Sequence, residues 1–250
     1  MPPSRNSLNK AASCSLLVAC LMAGTALASG LLFDFSAFGS FKRMSHTGDT
    51  SGQVRLSDLP QTAGTWGVGA LAGLTGEILL HDGRLLVSRG EDHRGRVSDA
   101  KPEDEAAIFA SARVQQWAEV PLTKEMPQAE FEAFVVEQAK KIGLDAEQPF
   151  PFLVDGAFPA MTWHVVTGKP SSPAHGVGGH ANKHAGMKVF EQSGVSGRLV
   201  AFYSGSRFEG VVSHPGERFH VHYVDAAREA SGHVDGYRVG SGATLRLPVK

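Results

Sequence analysis

Phe219-His220-Val221-His222-Tyr223-Val224, with His233 separated from His222 by ten residues in Ala230-Ser231-Gly232-His233-Val234, is the stretch on which the reading of this chain turns. Successive side chains of a strand point to opposite faces, so His220 and His222 project together while Phe219, Val221 and Tyr223 project the other way. The β-branched and aromatic neighbours favour a strand. Residues 225–231 can reverse the chain, and a returning strand would bring His233 beside the pair. Three nitrogen ligands with a position left open distinguish a catalytic metal site from a closed structural one. Gly232 fits the same picture, because glycine permits the close backbone approach that a crowded site needs.

A lone His-x-His on a strand is most often two ordinary half-buried histidines, and the third histidine is what argues against that here. Spacing tests other metal sites. A cupin-type site wants a glutamate four or five residues after the second histidine, where this chain has Ala226 and Ala227. An α-carbonic-anhydrase-type site wants its third histidine about twice as far along as His233. Neither pattern fits. Three imidazoles suit zinc, iron, nickel and copper alike, so the spacing leaves the metal open.

The chain has 250 residues, 42% of them hydrophobic and 20% charged, with 29 glycines, which suits a turn-rich and strand-rich globular protein with a substantial core. A formal net charge of −1 with no basic run gives no electrostatic case for nucleic acid. The first 28 residues read differently. Arg5 and Lys10 precede an apolar stretch, and Ala26-Leu27-Ala28 places small residues at the −3 and −1 positions of a cleavage site. This predicts a signal peptide and a secreted or periplasmic protein without stable membrane insertion after cleavage. The alternative is a lipoprotein signal, with Cys20 in Leu17-Val18-Ala19-Cys20 as the acylated residue. Both cysteines, Cys14 and Cys20, lie in this segment, so a mature chain cleaved after Ala28 has no disulfide and must hold any metal with His, Asp or Glu.

A mobile N-terminal segment is expected over residues 29–55, then one domain over residues 56–250 in two sheet subdomains meeting near residue 145. Alternation over residues 65–80 predicts strands, and His81-Asp82-Gly83-Arg84 is a two-residue hairpin signal with Leu85-Leu86-Val87 as the return. Residues 90–105 read as loop, and residues 107–114 fit strand or helix. Phe131, Phe134, Val135, Gln138 and Ile142 mark a helix over residues 127–142, with Gly143 as its stop. Residues 150–166 read as two short strands around Asp155-Gly156. Residues 167–186 form a Gly-, Ser- and Pro-rich loop whose His175, His180 and His184 fit a mobile surface segment better than a second metal cluster. Strands return over residues 197–203, 219–224 and 233–239.

Several of these pieces fall into one order. Gly67-x-Gly69, Leu74-x-Gly76-Glu77, Asp82-Gly83, Asp155-Gly156-x-Phe158, residues 190–202 with Gly197, and His220-x-His222…Arg228…Gly232-His233-Val234 together resemble the α-acetolactate decarboxylase family from about residue 60 to Pro248. The block from His220 to Val234 is the specific part. The resemblance implies an α+β fold of two mixed sheets with few helices and a zinc ion, or another divalent metal, held by His220, His222 and His233. It implies conversion of acetolactate to acetoin and carbon dioxide, with Glu77 as the family's glutamate beside the metal and Arg228 as a further catalytic candidate. The hydroxyl and ketone oxygens of such a substrate can chelate one metal, which as a Lewis acid stabilises the charge left by departing carbon dioxide. An acid at Glu77 would then protonate the carbanionic carbon from one face.

This sequence departs from the family pattern at His164, where the family has an arginine that would meet the substrate carboxylate. Histidine is shorter and cannot make a bidentate clasp. Two extra residues stand between Pro215-Gly216 and His220, and nothing after Leu247-Pro248 in the sequence read here matches the glutamate of the family's tail. Two further functions are therefore open: a metal-dependent lyase or isomerase acting on another hydroxy-keto acid, and a non-catalytic binding protein for metal or a small ligand. The expected partner is a small hydroxy-keto acid, and a homodimer is compatible with the reading.

Overall fold

The computed structural model describes residues 33–168 and 186–249, so the expected signal peptide with Cys14 and Cys20, and His175, His180 and His184, lie outside the described residues. The elements in chain order are β1 (Asp34–Phe38), α1 (Phe41–Thr47), β2 (Val54–Arg55), β3 (Thr65–Leu71), β4 (Gly76–His81), β5 (Arg84–Arg89), β6 (Val97–Ser98), β7 (Glu105–Arg113), β8 (Gln116–Pro121), β9 (Met126–Pro127), α2 (Gln128–Lys141), β10 (Phe150–Val166), β11 (Met187–Tyr203), β12 (Phe219–Asp225), β13 (Ser231–Val239) and β14 (Thr244–Val249). No helix among the described residues is long and apolar enough to cross a membrane.

Two sheets with few helices form an α+β fold. The first runs β1-β7-β3-β4-β5-β6 with β2 also on β7, and the second runs β8-β14-β10-β11-β12-β13-β9. Every paired strand named above runs antiparallel, so the sheets are antiparallel rather than mixed. Short connections favour this at β3–β4, β4–β5 and β12–β13, since parallel neighbours need crossovers of a dozen residues or more. The chain passes from the first sheet to the second between Arg113 and Gln116, not near residue 145: β8 and β9 already belong to the second sheet.

The Asp-Gly hairpin forms as the sequence predicts. His81 pairs with Arg84, and Asp82 and Gly83 between them take positive φ of 51° and 82°, the conformation a two-residue primed turn demands. Alternation along β4 then sends Ile78 and Leu80 into a cluster with Leu56, Leu85, Val87 and Phe109. Leu79 turns the other way, into the core shared with Phe152, Val154 and Leu199 of the second sheet. Glu77 and His81, two residues to either side of Leu79, therefore face the second sheet as well.

The expected pair of short strands around Asp155-Gly156 is one continuous strand. Asp155 pairs with Arg198 and Gly156 with Gly197 without a break. The Asp155 carboxylate accepts from Arg198 Nε at 2.6 Å and meets Arg246 Nη1 at 3.3 Å, and a Cβ at Gly156 would come 2.5 Å from the Ala243 side chain. These two residues are thus there for cross-strand charge and close approach, not for a turn. β10 pairs with β11 along its length and also with β13 over Ala160–His164, so β10, β11, β12 and β13 close on one another.

The N-terminal segment expected to be mobile is structured from Asp34. β1 adds to β7, and α1 is capped by the Ser40 side chain at its start and by left-handed Gly48 at its end. Phe35 packs against Phe202 and Phe208, and Phe41 packs against His214 and His220. Burial of a few aromatics outweighs the weak local propensity of a five-residue strand. Residues 90–104 are loop apart from β6, residue 105 opens β7, and residues 107–114 are strand in β7 up to Arg113. The predicted helix appears as α2, burying Phe131, Val135 and Ala139 one turn apart, with Gly143 at φ 85° just past its end.

Candidate functional site

Strand register builds the site. His222 on β12 lies opposite His233 on β13, and His233 lies opposite His164 on β10. His220, two residues before His222, shares its face, as the period of a strand requires. The possible ligand atoms of His220, His222 and His233 all lie within 4.8 Å of one another, and the Nε2 atoms of His220 and His222 are 3.2 Å apart. Two nitrogens bound tetrahedrally at ~2.0 Å would sit roughly 3.3 Å apart, so the spacing fits a divalent metal.

Gly232 has the role its sequence position suggests. A Cβ there would lie 2.4 Å from the His164 carbonyl oxygen and 2.6 Å from the Trp163 ring, so only glycine lets β13 sit this close to β10. Gly232→Ala is expected to push β13 outward, costing about 1–3 kcal/mol of stability as an overpacking change and weakening metal retention through His233. Thermal unfolding with metal analysis checks this; an unchanged Tm and metal content would show that the close approach is dispensable.

Burial sets the electrostatics. His220 and His222 are enclosed, and His233 is partly open to a cavity. Burial pushes the His220 imidazole down to about 3, with His214 adding to it, and holds His222 and His233 well below the ordinary histidine range, with neighbouring imidazoles adding to it. All three are therefore neutral, the form that offers a lone pair to a metal. Glu77 reaches in from the first sheet, with Oε2 3.7 Å from His222 Nε2 and Oε1 accepting the Val166 N–H at 3.3 Å. Burial raises its carboxyl to about 7, against the opposing pull of His164 and that hydrogen bond.

His164 stands on the other side of Glu77, its Nε2 4.0 Å from Oε1. Its Nδ1 meets both oxygens of Asp235, at 2.8 and 2.9 Å. Burial disfavours its cation, but the hydrogen bond to Asp235 and the charges of Glu77 and Asp235 outweigh that and raise its pKa. His164, His233 and Asp235 line a cavity of about 600 Å³, with Met187, His214 and Phe219 also in its wall.

The structure brings five of the six candidate residues together and leaves Arg228 apart. Arg228 is exposed in the turn between β12 and β13 at φ 60°, and the histidine its charge acts on is His81, held low chiefly by burial and then by Arg198 and Arg228, not a member of the cluster. A position in the same sequence block as the histidines did not imply a shared face, because Arg228 belongs to the reversal and not to either strand. Two residues at the site went unread. Asp235 had a usable signal, since it stands two residues after His233 on one strand. His214, whose ring is 5.9 Å from that of His233 and 4.0 Å from Phe41, had none, because it lies between strands.

Fold and site together define a two-sheet α+β protein with a buried set of three histidines able to hold a metal beside a carboxyl group. The model of the α-acetolactate decarboxylase family matches residues 39–248, and the chain belongs to that family. An α-acetolactate decarboxylase of Bacillus licheniformis is 26% identical over 180 residues, covering 70% of this chain and 64% of that protein, slightly under two thirds of the relative's length. Among solved structures, an α-acetolactate decarboxylase of Bacillus subtilis superposes with a TM-score of 0.67 at 18% identity over 86% of each chain. A Staphylococcus aureus protein described as similar to α-acetolactate decarboxylase superposes with a TM-score of 0.62 at 17% identity, again over 86% of each chain. At these identities the structures speak for the fold.

Proposed function

We propose that this protein is an exported, metal-dependent decarboxylase that converts 2-acetolactate to acetoin and carbon dioxide. The observation that carries the reading is the placement of Glu77 within 3.7 Å of the histidine cluster, in a family of acetolactate decarboxylases. His220, His222 and His233 would hold a zinc ion. When bound, the metal supplies Lewis-acid polarisation of the hydroxyl and ketone oxygens of the substrate. Export rests on the composition of residues 1–28.

The chain's own residues account for the rest. As the bond between the carboxylate and its carbon breaks, carbon dioxide leaves and the electron pair stays on that carbon. Glu77, whose burial favours the neutral acid, gives its proton to the carbon and regains one from water. His164 lines the cavity beside Glu77 and would meet the carboxylate end of the substrate.

The direct test is to load the purified protein with zinc, supply 2-acetolactate, and measure acetoin and carbon dioxide, expected in equal amounts. His164 where the family has arginine favours a second reading, in which the same chemistry serves another hydroxy-keto acid. Full metal occupancy with no acetoin would move the assignment to that reading or to a binding role.

A further inference from the structure

His164 stands where the family resemblance puts an arginine, and Asp235 is the residue that makes the exchange intelligible. It lies on β13, where the pairing with β10 slips: Trp163 is opposite Val234 and Thr162 is opposite Gly236, which leaves Asp235 as the unmatched residue. A bulge of this kind re-aims a side chain. Here the carboxylate is brought to 2.8 and 2.9 Å from His164 Nδ1. The His164 side chain is 8% exposed and that of Asp235 33%, and both line the cavity beside the cluster. A guanidinium at position 164 would be neutralised by this carboxylate, whereas an imidazole is oriented by it.

We propose that Asp235 is a positioning residue for the reaction, accepting the Nδ1–H of His164 and so turning Nε2 toward Glu77 and the substrate. This rests on the decarboxylase reading for what Nε2 meets, but not for the orientation itself. Whichever protons the ring carries, a carboxylate on Nδ1 requires a proton there and leaves Nε2 as the atom presented to the site. The arrangement follows the logic by which a buried aspartate fixes the tautomer of a catalytic histidine. Asp235 does not touch substrate in this proposal; it acts through His164.

The test is Asp235→Asn in the zinc-loaded full-length protein, read three ways. Nitrogen-15 NMR of the imidazoles, assigned with His164→Gln, should show loss of the Nδ1–H form of His164, because an asparagine amide can donate to Nδ1. Turnover should fall by about 10–100-fold, the usual size for a residue that orients a functional histidine, at unchanged zinc content and with most of the loss in kcat. In a His164→Gln background the same substitution should cause little further loss, and Asp235→Glu should keep part of the activity. An unchanged His164 spectrum, or an equal fractional loss with and without His164, would overturn the proposal. If the wild type makes no acetoin, the decarboxylase reading fails while the NMR comparison still decides the role of Asp235.

Discussion

His222→Ala is expected to leave the purified protein without stoichiometric metal. His222 is wholly enclosed, sits in register with His233 and has its Nε2 3.2 Å from that of His220, so it touches both other members of the cluster. Its removal leaves two imidazoles, and metal affinity depends on the number of preformed neutral donors. The truncation also opens a cavity beside Glu77, so some loss of stability accompanies the loss of metal. Elemental analysis after exhaustive dialysis against metal-free buffer reads the result. Circular dichroism distinguishes a folded, metal-free variant from an unfolded one, and His220→Ala serves as a parallel case. A folded variant with full occupancy would show that the metal, if bound, is held elsewhere.

Strand periodicity and turn chemistry made much of this architecture legible before any coordinates. His220 and His222 share a face because a strand repeats every two residues, and Asp82-Gly83 turns because both positions take positive φ. Those are local rules, and they hold locally. What the sequence hid depends on partners far along the chain. β1 is held by β7, more than seventy residues away, and no five-residue pattern announces that. Asp155-Gly156 has the composition of a turn, yet Arg198, Arg246 and Ala243 supply neighbours that keep the strand straight. Glu77 is an ordinary acidic residue at a strand's start until the second sheet is placed against it. The role of Asp235 is hidden for a further reason: it depends on the histidine that stands at position 164 in place of the family's arginine, and on a bulge that only the pairing of β13 with β10 creates.

Glu77→Gln is expected to separate metal binding from chemistry. Glutamine keeps the volume of the side chain, and its amide oxygen can still accept the Val166 N–H that Oε1 accepts at 3.3 Å, so fold and histidine cluster should persist. What disappears is a proton that can be given to carbon. Loss of a positioned acid typically lowers the rate by about 10²–10⁴-fold, and this loss should fall on kcat, since the histidines that would hold the metal are untouched. Stereochemistry gives an independent reading. Glu77 stands on one side of the site, so the wild type should form one enantiomer of acetoin, whereas product released from the variant should approach a racemate as water protonates the carbon from either face. Chiral chromatography of the product and zinc analysis of the same sample make the comparison. A variant that retains its metal and makes acetoin at the wild-type rate and configuration would show that the proton comes from another group, with the His164–Asp235 pair as the next donor to examine.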